Sequence, residues 1–186
     1  DHPESWKRNR DWLADVFERA RELGKPLFNE TLLLQKPGES KAQMARRLPE
    51  AVVRMAEDFG RFGHFYKTQV PMLWADSPEG GVEFVSTPDA VRSAAVTMFS
   101  VVPRPMLLLS AAVDFAQYSA QYALVSDVVA GPMCGRAYFK EAFFMDSSVD
   151  MESLGRNFAD LALPRMRQIQ DLARKISQPW WGKFEW

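Results

Sequence analysis

The feature that most restricts the possible folds is the nearly uncharged stretch 105–126, in which Asp114 is the one charged side chain. A membrane-spanning helix needs about 20 mostly apolar residues, and this stretch is long enough to supply them. The polar side chains, however, recur at helical spacing and would share one helix face: Ser110, Asp114, Gln117 and Gln121. We therefore expect one helix that is buried or covered by a partner, with a membrane-surface helix and a true span as alternatives.

Helical spacing also recurs in most of the remaining chain. Residues 5–23 place their apolar side chains on one face, and after Pro49 a similar stripe continues as far as Tyr66. Thr87 and Pro88 are a typical N-cap and first helical residue. Because no strand-type alternation persists over a useful length, the sequence predicts an all-α protein. We expect an irregular bundle of about five to seven helices with loop-like arms.

Prolines and glycines between the helices suggest how the chain is organised. Pro71, the turn at 78–81 and Pro88 separate an N-terminal helical part, 1–82, from an apolar helical C-terminal part, 83–186. The C-terminal part would pack on the N-terminal part or on partners. The last residues, "QPWWGKFEW", are too aromatic for a solvated linker, and we expect them to dock on a surface.

Composition excludes several functions. The chain has 23 Lys and Arg against 24 Asp and Glu, so its net charge of −1 gives no field that would attract nucleic acid. There is no glycine-rich phosphate loop and no Cys and His spacing typical of a metal site. Cys134, His64 and Asp114 stand without the partners that catalysis requires. We therefore predict no catalytic residues, no cofactor and no metal.

The segment Arg46–Glu50, "RRLPE", raises a separate question, because cations are unfavourable at the start of a helix. The arginines are explained if they end a short helix capped by Ser40. Glu50 would then open the next helix, with Leu48 as a buried anchor between the two. This explanation requires no partner.

The same segment also resembles a known family. "MARRLPEAVVRM" is similar to the core of the small matrix-side subunit of ubiquinol–cytochrome c reductase, respiratory complex III, often called its ubiquinone-binding protein. An apolar "LLL" loop lies upstream, and Val70-Pro71 followed by Trp74 lies downstream, in the order found in that family. The family's chain ends soon after that tryptophan, so this protein would be a divergent, C-terminally extended version.

The resemblance implies a non-catalytic accessory subunit of the mitochondrial inner membrane that docks on the matrix side of cytochrome b and supports assembly. Other subunits of the respiratory chain complex would hold the electron-transport centres, and residues 105–126 would be available for lipid contact. The residues expected at the partner interface are Arg46, Arg47, Leu48, Pro49, Glu50, Arg54, Arg61, Pro71, Trp74, Trp180, Trp181 and Trp186.

Two alternatives remain open. The excess of aromatic residues, 12% of the chain, also fits an accessory subunit of another respiratory complex or of ATP synthase. A free helical bundle that holds an apolar ligand beside residues 105–126 is the other possibility.

Overall fold

The computed structural model describes residues 3–70, 74–76, 82–84, 86–111, 113–143 and 150–184. The strands, in chain order, are β1 (Phe28–Glu30), β2 (Phe65–Gln69), β3 (Trp74–Asp76), β4 (Val82–Phe84), β5 (Met106–Leu109) and β6 (Gly131–Pro132). A four-stranded parallel sheet has the order β1–β2–β5–β6, and β3 and β4 form a separate antiparallel pair. The protein therefore has an α/β fold, and the predicted all-α bundle is wrong.

Helices connect and cover these strands: α1 (Pro3–Glu22), α2 (Lys41–Phe59), α3 (Pro88–Val101), α4 (Phe115–Val125), α5 (Arg136–Phe139), α6 (Met151–Asn157) and α7 (Leu163–Ile176). A π-helical segment, Phe158–Ala162, joins α6 to α7, and short 3₁₀ turns occupy Lys140–Phe143 and Trp180–Gly182. Among the residues that the structure describes, no helix combines the length and the apolar character needed to cross a membrane.

The helices that connect the parallel strands share one face of the sheet. α2 joins β1 to β2, α3 lies between β2 and β5 along the chain, and α4 joins β5 to β6. Each pair of neighbouring parallel strands is therefore connected by a segment that contains a helix, as parallel pairing requires. Tyr66, Met106 and Leu108 point to this face and form one hydrophobic core with Leu48 and Val91 of the helices. Strands that follow one another in chain order, with their helices on one side, wind in one direction as in the wall of a β/α barrel.

Residues 105–126 form a strand and a helix, so the single helix predicted there is wrong. β5 takes the run "MLLL", and α4 begins only after Asp114, whose carboxylate accepts a hydrogen bond from the Gln117 backbone N–H at 2.8 Å. Asp114 is thus an N-cap rather than a mid-helix charge. The reason is that a short apolar run bounded by breakers fits a buried strand as well as a helix segment. β2 of the predicted N-terminal part pairs with this strand of the C-terminal part.

The "RRLPE" segment lies inside one continuous helix. α2 begins with Ser40 and Gln43 in a reciprocal capping box, as expected for Ser40, but it runs on through Pro49 to Phe59. The predicted helix junction at Arg46–Glu50 is therefore wrong. The apolar stripe ends at Phe59 and does not reach Tyr66, because Gly60 caps the helix and the chain enters β2.

Several local predictions are confirmed. α1 covers residues 5–22 of the predicted 5–23 helix, and Gly24 lies in the turn that follows, with a positive φ of 59°. Thr87 accepts a hydrogen bond from the Ala90 backbone N–H, and Pro88 opens α3. The C-terminal segment also packs against the chain itself, since the Phe184 ring lies 5.1 Å from the ring of Phe65.

Candidate active site

A row of four residues crosses the sheet, and its side chains lie on the face opposite to the helices. Glu30, Lys67, Leu107 and Gly131 are directly in register on the four strands. Parallel strands are usually near-continuous apolar runs, because both faces of such sheets are normally covered. β2, a central strand with the sequence "FYKTQ", departs from that rule. Its polar residues are therefore the first candidates for function.

Lys67 makes a charge-assisted hydrogen bond across the sheet. Its Nζ donates to Glu30 Oε2 at 2.7 Å, and the side chains are 20% and 47% exposed, respectively. The two residues meet because β1 and β2 pair in parallel with Glu30 opposite Lys67. The arrangement places an amine beside a carboxylate that can accept its proton.

Gln69 follows Lys67 by two positions and therefore points to the same face. It is 2% exposed, and its Nε2 has no hydrogen-bond partner in the described part of the chain. A buried amide donor without an acceptor costs about 1–3 kcal/mol. Such a group inside a fold calls for an explanation, and a ligand atom is one.

The carboxyl ends of the strands carry further polar and strained groups. Ser110, which is buried, follows β5, and the next residue, Ala111, has a positive φ of 48°. This left-handed conformation is strained for a residue other than glycine, and such strain concentrates at functional sites. In open α/β sheets, ligands bind at the carboxyl ends of the strands. This edge is consequently where a bound ligand would be expected.

Cys134 lies in the loop after β6 and is held as a neutral thiol. Burial raises its pKa, although hydrogen bonds with Tyr138 and Tyr118 and the charge of Lys67 act in the opposite direction. Burial also raises the pKa of Tyr118, whose hydroxyl donates to the Leu108 carbonyl at 3.1 Å. Since a thiolate is the reactive form, this cysteine is not an activated nucleophile.

His64 has a structural position at the start of β2. It is 2% exposed, and its Nδ1 accepts a hydrogen bond from the Leu27 backbone N–H at 2.9 Å. Burial lowers its pKa, and the charges of Arg104 and Arg21 lower it further. The acceptor role also requires an unprotonated Nδ1, so the imidazole is neutral in the folded protein.

This environment predicts a pH-dependent stability. The folded-state pKa of His64 is below its ordinary value of 6.5. The neutral imidazole therefore makes its full contribution to the free energy of unfolding above pH 6.5, and this contribution is lost as the pH falls toward the folded-state pKa. We expect the free energy of unfolding, measured by urea titration, to fall between pH 7.5 and 5.0. His64→Asn keeps an acceptor but cannot titrate, so it should flatten this dependence. An equal fall in both proteins would contradict the assignment.

Two of the residues predicted for a partner interface, Arg47 and Leu48, make their contacts within the chain. Arg47 donates to Glu39 Oε2 at 2.7 Å and to the Leu34 carbonyl at 2.9 Å. The hydrogen bond from Arg47 holds the pKa of Glu39 at about 2, and the Lys36 backbone N–H makes the next largest contribution. Leu48 is 1% exposed. Around them on α2, Arg46 and Glu50 are exposed and Pro49 is half-buried.

The remaining predicted interface residues are scattered. The guanidinium groups of Arg54 and Arg61 each lie 5.3 Å from an aromatic ring centroid, that of Trp6 and of Phe62 respectively. Two tryptophans near the end of the chain stay exposed, Trp180 at 46% and Trp181 at 68%. Trp74 is in β3, but its side chain is not among the described ones, and Pro71 and Trp186 lie outside the described residues. None of the predicted residues whose side chains are described lies in the row that contains Glu30 and Lys67.

Sequence reasoning missed Glu30, Lys67 and Gln69. A signal was available in "HFYKTQV", where polar residues interrupt a segment of aromatic and β-branched residues. Within the described ranges, no group of three or more His, Cys, Asp or Glu side chains is placed to hold a metal ion.

Comparison with known proteins leaves the family open. No protein-family model matches this chain, and no curated protein matches it at a significant level.

Proposed function

We propose that the protein carries out carbonyl chemistry through a Schiff base on Lys67, with Glu30 as the proton carrier. The observation that carries the proposal is the 2.7 Å contact between Lys67 Nζ and Glu30 Oε2 on the face of the parallel sheet opposite to α2, α3 and α4. Lysine amines form covalent imines with aldehydes and ketones, and a nearby carboxylate can move the protons that this step requires.

The steps follow from this pair. Glu30 accepts a proton from the Lys67 ammonium, and the free amine adds to the carbonyl carbon of the substrate. The resulting carbinolamine loses its hydroxyl as water when Glu30 returns its proton to that hydroxyl, which leaves a protonated imine and an ionised Glu30. This imine withdraws electrons from the adjacent carbon, so Glu30 can accept a proton from that carbon, which leaves an enamine. It can instead accept the proton of a hydroxyl on the next carbon, in which case the carbon–carbon bond between them breaks, an aldehyde or ketone leaves and the same kind of enamine remains. Glu30 returns this proton to the enamine carbon, and hydrolysis of the resulting protonated imine with one water molecule releases the product and restores the amine.

The position of Lys67 and Glu30 favours a catalytic role for this pair over a purely structural one. Because Glu30 is 47% exposed, solvent screens the ion pair, and pairs reached by solvent in this way contribute only about 0–1 kcal/mol to stability. Lys67 occupies a central strand, where apolar residues are the rule. Its strand also ends at the edge where strained Ala111 and buried Ser110 lie. These features together fit a reaction site better than a surface contact.

Borohydride trapping tests this proposal. The chain is incubated with hydroxyacetone and sodium cyanoborohydride, and peptide mapping by mass spectrometry locates the reduced adduct. We expect Lys67 to be labelled faster than the exposed Lys7, which serves as an internal control together with N-α-acetyl-lysine. If Lys67 is labelled no faster than Lys7, the proposal fails.

The accessory-subunit hypothesis stays a second candidate, and the exposure of Trp181 is the observation that favours it. It ranks lower because the resemblance implies a helical subunit, whereas β1 and β2 flank the matching segment. A native gel of gently solubilised membranes, with haem spectroscopy on the band, tests it. Migration in a large band with b- and c-type haem would support a complex III subunit.

A further inference from the structure

The amide of Gln69 is the feature that the Schiff-base proposal leaves unexplained. Gln69 is 2% exposed, so water does not reach the amide, and its Nε2 has no hydrogen-bond partner among the described residues. Folded proteins leave few such donors unsatisfied. A bound ligand that offers this N–H an acceptor would therefore stabilise the complex relative to the free protein.

The strand geometry relates this amide to Lys67. Residues two apart in a strand point to the same face and lie about 6.7 Å apart along it. Gln69 is on the carboxyl side of Lys67, toward the edge where ligands bind in sheets of this kind. Its register partner on β5 is Leu109, which is 6% exposed. Because a leucine side chain is apolar, this neighbour offers the amide no hydrogen-bond acceptor.

We infer that Gln69 is a specificity residue that donates a hydrogen bond to an oxygen substituent next to the Schiff-base carbon of the substrate. This inference rests on the proposed function of Lys67. The amide N–H is a neutral donor, so it suits a hydroxyl oxygen better than it would suit an apolar group. A substrate with a methyl group at that position would leave the donor buried and unsatisfied.

Two ketones of nearly equal size test the assignment. Hydroxyacetone has a hydroxyl where 2-butanone has a methyl group, and the initial rate of cyanoborohydride labelling at Lys67 is measured for each. The ratio of the two rates is divided by the same ratio for N-α-acetyl-lysine, which removes the intrinsic reactivity of the ketones. We expect a normalised preference of about tenfold for hydroxyacetone.

Gln69→Met keeps the shape of the side chain and removes the donor, so the normalised ratio should fall to about one. Gln168→Leu, at an exposed position on α7, is the matched control and should leave the ratio unchanged. An unchanged ratio in Gln69→Met, with Lys67 still labelled by both ketones, would overturn the role of Gln69 alone. Failure of both ketones to label Lys67 would instead overturn the Schiff-base proposal and this inference with it.

Thermal unfolding of the unliganded protein gives a second readout. The amide has no hydrogen-bond partner among the described residues, so Gln69→Met should raise the midpoint by a few degrees, because the unsatisfied donor is removed. A fall of several degrees would show that the amide supports the fold, and it would overturn the assignment to substrate.

Discussion

Lys67→Arg is expected to abolish cyanoborohydride-dependent labelling at position 67 while leaving the fold intact. The guanidinium keeps a positive charge opposite Glu30 but is not a nucleophile at neutral pH, since its pKa is above about 12. Intact-mass spectrometry should therefore show only the slow labelling of exposed lysines, and circular dichroism should match that of the wild-type protein. Labelling at the wild-type rate would place the reactive amine elsewhere.

Glu30→Gln separates the role of the carboxylate from that of the amine. The amide has nearly the same shape but cannot accept the ammonium proton, so imine formation at Lys67 should slow by roughly 10²–10⁴-fold, the usual contribution of a positioned acid or base. Stability should change little, because Glu30 is 47% exposed. A labelling rate equal to that of the wild-type protein would leave Glu30 as a structural partner only.

Leu48→Ala is the substitution with the largest expected effect on stability. Leu48 is 1% exposed and belongs to the core beneath the sheet, so the change removes buried apolar atoms and leaves a cavity. Such replacements cost about 2–5 kcal/mol, which is a large share of the stability of a domain. Urea unfolding at pH 7.5, followed by circular dichroism, measures the loss.

Glu50→Ala, two positions further on the same helix, is the matched control. Glu50 is exposed, and its replacement should change the free energy of unfolding by no more than about 0.5 kcal/mol. If Leu48→Ala costs as little as Glu50→Ala, the leucine does not anchor α2. Its assignment to the core would then be wrong.

The helices were predictable from sequence because their signals are local and repeat over many residues. α1 and α3 carry continuous amphipathic spacing or a Thr-Pro cap, and these signals do not depend on the rest of the fold. The parallel strands are only two to five residues long. "FYKTQ" has too few apolar residues to read as a buried parallel strand, and "MLLL" fits a helix equally well.

The candidate site was not predictable for a different reason. Glu30 and Lys67 are 37 positions apart, and only the parallel pairing of β1 with β2 brings them together. Neither residue belongs to a motif. "RRLPE" attracted attention as a compact motif, yet its arginine at position 47 is committed to Glu39 of the same chain. Proximity in sequence was a poor guide to proximity at the site.

The two outer strands of the parallel sheet also bear on self-association. If copies of this sheet joined edge to edge in one direction, the β6 edge of one copy would pair with the β1 edge of the next. Such a head-to-tail contact can repeat without limit and grow into filaments. β6 has only two residues in register with β5, and one of them is Pro132. Short strands and proline are the means by which proteins blunt a sheet edge. Edge-to-edge polymerisation through β6 is therefore disfavoured, which protects concentrated solutions of the protein from fibre formation by this route.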